Sequence, residues 1–191
     1  MLAHLEEKLF VDHTLETAPE AARRSLKATV DQLGYLPSPM ARLAASPQLL
    51  DGFLKLTAMF EATTLEPLAR ETVIMTVAVR NGCHICIAMH TAMLGGIGAD
   101  AELVAALREQ RPLPDEKLEA LRQFTIEVMT TAGGVDDVVL KEFLDHGYTT
   151  QNALEVVLGI GTYTLSTFAN RLTGAPLDEA FAAHEWHAAA V

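Results

Sequence analysis

The amino-acid sequence predicts an all-α fold, organised as a single domain over residues 1–191. Apolar residues recur at helical spacing in successive segments, and proline, glycine and helix-capping residues separate those segments. No stretch keeps the alternation of apolar and polar residues that marks a strand. The length of 191 residues suits one domain. The order of helices in residues 53–95 loosely resembles the order in residues 124–174, which predicts a pseudo-repeat.

The amino-acid composition restricts the classes of molecule that the protein is expected to bind. Half of the residues are hydrophobic and a fifth are charged, which is ordinary for a globular protein. Lys and Arg number 14 against 25 Asp and Glu, a net charge of −11 that would repel a nucleic-acid backbone. The N-terminal residues MLAHLEEKLFVD lack the features of a signal peptide, and no apolar run is long enough for a membrane span. We therefore expect a cytoplasmic protein with no nucleic-acid or membrane partner.

The first part of the chain contains start and stop signals for three helices. The first is expected from Glu20 to the stop at Gly34, and a turn is expected at 35–39. Ser46-Pro47 opens the second helix. The third runs from Leu68 to about Arg80, and because it is apolar almost all round it is predicted to lie in the centre of the fold.

The remaining helices are bounded by similar signals. A helix starting at Cys83 should end at Gly95-Gly96, and residues 111–114 (Arg-Pro-Leu-Pro) form the clearest linker before a C-terminal helical part, 115–191. The other predicted helices span 100–110, 115–131, 136–146 and 153–172, with a peripheral helix in 178–191.

Both cysteines of the chain lie at the predicted start of one helix, on the same face as a histidine. Steps of about 100° per residue put Cys83, Cys86 and His90 within a sector of roughly 60°. Free backbone N–H groups and the helix dipole after Asn81-Gly82 favour an anion there, so the cysteines are predisposed to form thiolates. In a reducing compartment such a pair is typical of redox, catalytic or metal-binding function.

The residues around the pair can supply a proton relay. His90 can accept the proton of Cys86, and Glu71, expected on the preceding helix, can orient His90 or take a proton from either thiol. Two thiols, one acid and one base suffice to reduce a peroxide: a thiolate attacks the peroxide, the second cysteine closes a disulfide, and an external dithiol restores the pair.

These residues carry a family resemblance. Glu71, Cys83-His84-Ile85-Cys86 and His90, at their spacing, resemble the signature of the AhpD-like alkylhydroperoxidases within the carboxymuconolactone decarboxylase superfamily. The likeness covers roughly residues 65–98, with Leu65-x-Pro67 before Glu71, Asn81-Gly82 before the cysteines and Gly95-Gly96 after them. A weaker likeness extends to Asn170-Arg171 and the final helices.

The resemblance implies a fold, an activity and partners. It implies an AhpD-like helical fold, a peroxidatic role for Cys86, a resolving and partner-facing role for Cys83, and a proton relay through Glu71 and His90. His84 is given a supporting role. A homo-oligomer, commonly a trimer or hexamer, and a lipoyl-bearing or thioredoxin-like protein as dithiol reductant are also implied. No cofactor or metal is predicted, and helix geometry leaves open which cysteine attacks first.

Four alternatives stay open at this point. The cysteines can be small buried hydrophobes, or Cys83, Cys86 and His90 can hold zinc with Glu71 or water as the fourth ligand. The same fold can serve a carboxymuconolactone decarboxylase-type reaction, although that branch does not rely on a Cys-x-x-Cys pair. The chain can also be a non-enzymatic redox sensor or interaction protein whose disulfide changes its assembly.

Overall fold

A computed structural model describes residues 9–188, and these residues form helices and loops without a β-strand. The all-α prediction is therefore confirmed. The helices are α1 Glu20–Leu33, α2 Ser38–Leu43, α3 Pro47–Glu61, α4 Pro67–Arg80, α5 His84–Gly96, α6 Ala101–Arg108, α7 Glu116–Thr130, α8 Asp137–Asp145 and α9 Thr150–Thr173, followed by a 3-10 helix, Glu179–His184.

Side-chain caps explain why the predicted boundaries hold to within a few residues. The side chains of Ser46, Asp100, Asp115, Asp136 and Thr149 each accept a hydrogen bond from a free backbone N–H in the first turn of α3, α6, α7, α8 and α9. These bonds are local, so the sequence itself indicates where five of the nine α-helices between residues 9 and 188 begin.

Two segments differ from the prediction. A short helix, α2, forms where the sequence predicted only a turn at 35–39. Pro39 fits its first turn because proline lacks a backbone N–H and no N–H donor is needed there. The predicted terminal helix is a 3-10 helix, and Trp186, which follows it, donates its indole N–H to Arg108 O at 3.1 Å. Residues 189–191 of that predicted helix lie outside the described residues.

Helix α4 occupies the centre of the fold and packs against α5, α7 and α9. Every residue from Thr72 to Val79 is buried, which accounts for its nearly continuous apolar sequence and confirms its predicted position. Helices on both sides of the 111–114 linker thus contact one core. That the chain forms one domain with two related halves stays a prediction.

A glycine brings α9 close to the core beside α4. A Cβ placed on Gly159 would lie 2.6 Å from Phe60 Cε2 and 3.0 Å from Val73 Cγ1. Because no side chain intervenes, the inner face of α9 reaches α4 and, further along, the start of α5. The site described next lies where these three helices meet. Between Leu9 and Ala188, no helix has the length and apolar character needed to cross a bilayer.

Candidate active site

The turn between α4 and α5 sets the position of the cysteines. Gly82 adopts φ +63°, a conformation that favours glycine, and Cys83 follows as the N-terminal cap of α5 with φ −88° and ψ 90°. Cys83 thus precedes the helix that was predicted to include it, and only Cys86 lies in the first turn. Asn81 anchors this turn to α9, because its amide donates to Thr167 Oγ1 at 2.9 Å.

The two sulfurs face each other in a nearly closed space. Cys83 is 1% exposed and Cys86 is 2% exposed, and both are free thiols. The interaction between the two thiols shifts the pKa of each, so the sulfurs lie close to each other. From α9, the side-chain amide of Asn170 donates to Cys86 Sγ at 3.4 Å. The pair therefore has the proximity that disulfide closure requires.

The surroundings shift the pKa values of the two thiols in opposite directions. The hydrogen bond from the Cys86 thiol, with further ones from the Cys86 backbone N–H and the Asn170 amide, lowers the pKa of Cys83 despite its burial. The charge of Arg171 acts in the same direction. The pKa of Cys86 is raised because its thiol is the donor to Cys83, because it is buried and because it lies beside the Cys83 charge. The first negative charge therefore resides on Cys83.

The predicted Glu71 and His90 pair is present. His90 Nδ1 lies 2.8 Å from Glu71 Oε2, with side-chain exposures of 5% and 15%. Because a carboxylate accepts, Nδ1 carries the hydrogen, and Nε2 of a neutral ring remains as the base. Glu71 comes from α4 and His90 from α5, one turn after Cys86. A partly buried acid and a buried base thus lie near the cysteine pair.

Tyr163 on α9 packs against the His90 ring. The two rings meet edge to face, with centroids 5.5 Å apart and an interplanar angle of 86°. The Tyr163 side chain is buried, and burial together with the negative charge of Glu71 raises the pKa of its hydroxyl. The tyrosine therefore stays neutral and holds the imidazole in place. His84, in contrast, is exposed on the first turn of α5.

Sequence reasoning assigned no role to α9, although it supplies one side of the site. The missed residues are Asn170, which contacts Cys86, and Tyr163, which contacts His90. A signal was present in the sequence, because buried polar side chains follow helical spacing within an otherwise apolar segment. They are Tyr163, Ser166, Thr167 and Asn170.

The alternative of a metal site depends on donor geometry. Within the part of the chain that the structure describes, no group of three or more His, Cys, Asp and Glu side chains is placed to hold a metal ion. In the arrangement present, the Cys83 and Cys86 sulfurs engage each other and Asn170, while His90 Nδ1 engages Glu71.

Solved structures with the same architecture include several AhpD-like proteins. An uncharacterized peroxidase-related protein from Ralstonia eutropha JMP134, with an alkylhydroperoxidase AhpD core, is 18% identical at a TM-score of 0.78, over 90% of this chain and 93% of that one. An uncharacterized peroxidase-related protein from Silicibacter sp. TM1040 is 16% identical at 0.75, over 92% and 95%. These likenesses confirm the predicted fold.

A structure of different stated activity shares the architecture. The debrominase Bmp8, as a cysteine-to-alanine variant in complex with 2,3,4-tribromopyrrole, is 17% identical at a TM-score of 0.72, over 94% of this chain and 96% of that one. No curated protein matches the sequence significantly. Structural likeness at this level of identity concerns the fold, and the fold therefore spans relatives of differing activity.

The family comparison locates the motif. The model of the carboxymuconolactone decarboxylase family matches residues 47–126, from the start of α3 into α7. This segment contains Glu71, both cysteines and His90. Together with the shared fold, the match confirms the resemblance that the motif indicated: residues 47–126 are similar to the carboxymuconolactone decarboxylase family, and the fold is that of AhpD-like proteins.

Proposed function

We propose that this protein is a thiol-dependent peroxidase, which reduces an organic hydroperoxide at the Cys83 and Cys86 pair. The observation that carries the proposal is the hydrogen-bonded Glu71 and His90 pair beside two neighbouring free thiols. A structural cysteine pair has no need of a neighbouring acid and base, whereas peroxide reduction needs both. That relatives with this fold include enzymes supports an enzymatic role.

The proposed cycle assigns Cys86 as the peroxidatic residue. Its thiol first gives its proton to His90, directly or through a water, so that His90 becomes the protonated acid of the next step. The Cys86 thiolate then attacks the terminal peroxide oxygen: an S–O bond forms, the O–O bond breaks, and protonated His90 gives a proton to the departing alkoxide. The products are an alcohol and a Cys86 sulfenic acid.

Cys83 closes the cycle as the resolving residue. Its sulfur attacks the sulfenic sulfur of Cys86, the S–S bond forms, and the sulfenic oxygen leaves as water after protonation. An external dithiol, on a lipoyl-bearing or thioredoxin-like protein, then attacks at Cys83 and is itself oxidised to a disulfide. Cys83 is proposed for this step because it precedes the helix and adjoins the exposed first turn of α5, whereas Cys86 lies within the helix. His84, exposed beside it, is proposed as a supporting contact for the reductant.

We further propose that the protein works as a homo-oligomer in the cytoplasm. A dithiol reductant requires a reducing compartment, which supports the location. Exposed apolar side chains on one side of α9 support self-association. They are Leu154, Val157, Phe168 and Leu172.

Dithiol-coupled turnover with the Cys86→Ser variant tests the proposed activity. We expect wild type to reduce an organic hydroperoxide at the expense of the dithiol, and the variant to lose this turnover because serine cannot form a sulfenic acid. Intact mass of peroxide-treated wild type should show loss of two hydrogens, localised to Cys83 and Cys86. Thr57→Ser is a matched hydroxyl control away from the site. Undiminished turnover of the Cys86→Ser variant would refute the assignment.

The same assay separates the rival functions. A redox-dependent change in oligomer size without turnover would favour the sensor, and decarboxylation of a lactone acid that survives loss of both cysteines would favour the decarboxylase branch. Because one relative is a debrominase, a bromopyrrole belongs in the substrate panel. Dithiol-dependent release of bromide without any reduction of peroxide would replace the peroxidase assignment.

A further inference from the structure

In the side-chain amide of Asn170, the nitrogen makes a hydrogen bond and the oxygen makes none among the described residues. Its Nδ2 donates to Cys86 Sγ, but its Oδ1 is buried and has no hydrogen-bond partner among the described residues. Asn170 itself is 5% exposed. Leaving a buried carbonyl oxygen unpaired costs stability, and one beside a reactive sulfur calls for an explanation such as a bound group.

The position of this free oxygen defines what could occupy it. Oδ1 and Nδ2 belong to one planar amide, so a group hydrogen-bonded to Oδ1 can lie next to the Cys86 sulfur that Nδ2 contacts. Oδ1 only accepts hydrogen bonds, and its partner must therefore be a donor. A hydroperoxide carries an O–H on the terminal oxygen that a thiolate attacks, and a sulfenic acid carries the same O–H after the attack.

We propose that Asn170 forms an oxygen-binding subsite on Cys86, in which Oδ1 accepts the O–H of the hydroperoxide and then that of the Cys86 sulfenic acid. The inference rests on the proposed peroxidase function. When the Cys86 thiolate attacks, the terminal oxygen keeps its hydrogen, forms the S–O bond and gives up the O–O bond, while the alkoxide takes its proton from His90. One hydrogen bond to Oδ1 therefore persists from substrate to product, and it holds the reacting oxygen against the sulfur.

The surrounding contacts keep the amide in this position. Asn170 lies on the inner face of α9, and the backbone carbonyl of Asn170 accepts from Ala175 N at 3.1 Å where the helix ends. One turn earlier, Thr167 accepts from the Asn81 amide, and Arg171 donates to the Asn81 carbonyl. The turn before Cys83 and the end of α9 are thus tied together, which fixes Asn170 relative to the sulfurs.

Two reactions of the same cysteines test the subsite in the full-length protein. The first is single-turnover oxidation of the reduced pair by cumene hydroperoxide, which presents an O–H to Oδ1. The second is exchange of the reduced pair with a small aromatic disulfide, which presents none. For Asn170→Ala we expect oxidation to slow about tenfold, the worth of one hydrogen bond, while exchange changes by less than about threefold. Ser166→Ala, a buried polar residue on the same face of α9 without contact to either sulfur, is the matched control.

The sulfenic acid provides a second measurement. In a Cys83→Ser background it persists on Cys86, and adding Asn170→Ala should shorten its lifetime before over-oxidation. Equal losses in oxidation and exchange, or oxidation at the wild-type rate, would overturn the subsite, since Asn170 would then act only on the thiolate or not at all. If no hydroperoxide oxidises the wild-type pair, the proposed function fails as well, and this outcome is recognised before any variant is compared.

Discussion

At the scale of single residues, the site depends on how one negative charge is shared between two sulfurs. Cys83 receives hydrogen bonds from the Cys86 thiol, from a backbone N–H and from the Asn170 amide, whereas Cys86 is buried and donates. The charge is stabilised on the sulfur at the helix cap, and Cys86 becomes a nucleophile when its proton moves away. The neighbouring Glu71 and His90 pair gives that proton a destination.

The charge distribution predicts a pH dependence. The pKa of Cys83 is lowered, so the thiolate fraction, and with it the rate of attack on a small disulfide, should persist below the ordinary cysteine pKa of about 8.5. As pH falls through the lowered pKa, the rate should decline. Cys86→Ala removes the largest cause of the shift, and we expect the midpoint of the rate profile to rise toward the ordinary value. An unchanged midpoint in this variant would contradict the described hydrogen bond.

The hydrogen bond between Glu71 and His90 predicts that replacing Glu71 lowers the rate of peroxide turnover. Glu71→Gln keeps the shape of the side chain but removes the charge that stabilises protonated His90, 2.8 Å away. We expect peroxide turnover to fall by roughly 100-fold, mainly in kcat, because general acid catalysis weakens. Steady-state kinetics on Glu66→Gln, an exposed glutamate at the start of the same helix, gives the control. Equal kinetics for both variants would remove Glu71 from the relay.

At the scale of helices, what the sequence could predict follows from the range of the interactions involved. Caps such as Ser46 and Thr149 act within one turn, so helix starts were predictable. The short α2 was missed because two prolines close together at 35–39 favoured a turn. The spacing of Cys83, Cys86 and His90 is local to α5, whereas the contact of Asn170 with Cys86 spans 84 residues and depends on packing that no local pattern determines.

The close approach of α9 predicts a difference between two glycines. Gly159→Ala places a methyl group 2.6 Å from the Phe60 ring, and we expect overpacking to cost about 1–3 kcal/mol. Gly52→Ala, inside α3, meets nothing within 4 Å and should add about 0.5–1 kcal/mol through helix propensity. Thermal unfolding of the two variants should therefore shift Tm in opposite directions. Equal shifts would mean that α9 does not lie against Phe60 as described.

At the scale of the whole molecule, α9 has two functional faces. The inner face supplies Tyr163 and Asn170 to the site, and the outer face borders an open apolar groove of about 770 Å³. Since neither cysteine, nor His90, nor Asn170 lines this groove, we do not assign it to the peroxide. A helix that positions the site on one side and self-associates on the other would couple assembly to catalysis.

The outer face predicts the behaviour of the protein in solution. Four apolar side chains there fall within about 60° around the helix, and Phe168 and Leu172 are 58% and 75% exposed. An apolar stripe of this length is typical of a subunit interface, so we expect wild type to sediment as a homo-oligomer. Leu172→Glu should shift it toward smaller species, because a charge would be buried on association.

A second leucine supplies the comparison for that experiment. Leu33, at the end of α1, is 51% exposed and does not belong to the α9 stripe, so Leu33→Glu should leave the sedimentation of the protein unchanged. If assembly also supports the site, Leu172→Glu should lower peroxide turnover in parallel with the loss of oligomer, whereas Leu33→Glu should not. A monomeric wild type would contradict self-association. An oligomer whose size changes with neither substitution would show that the outer face of α9 is not the interface.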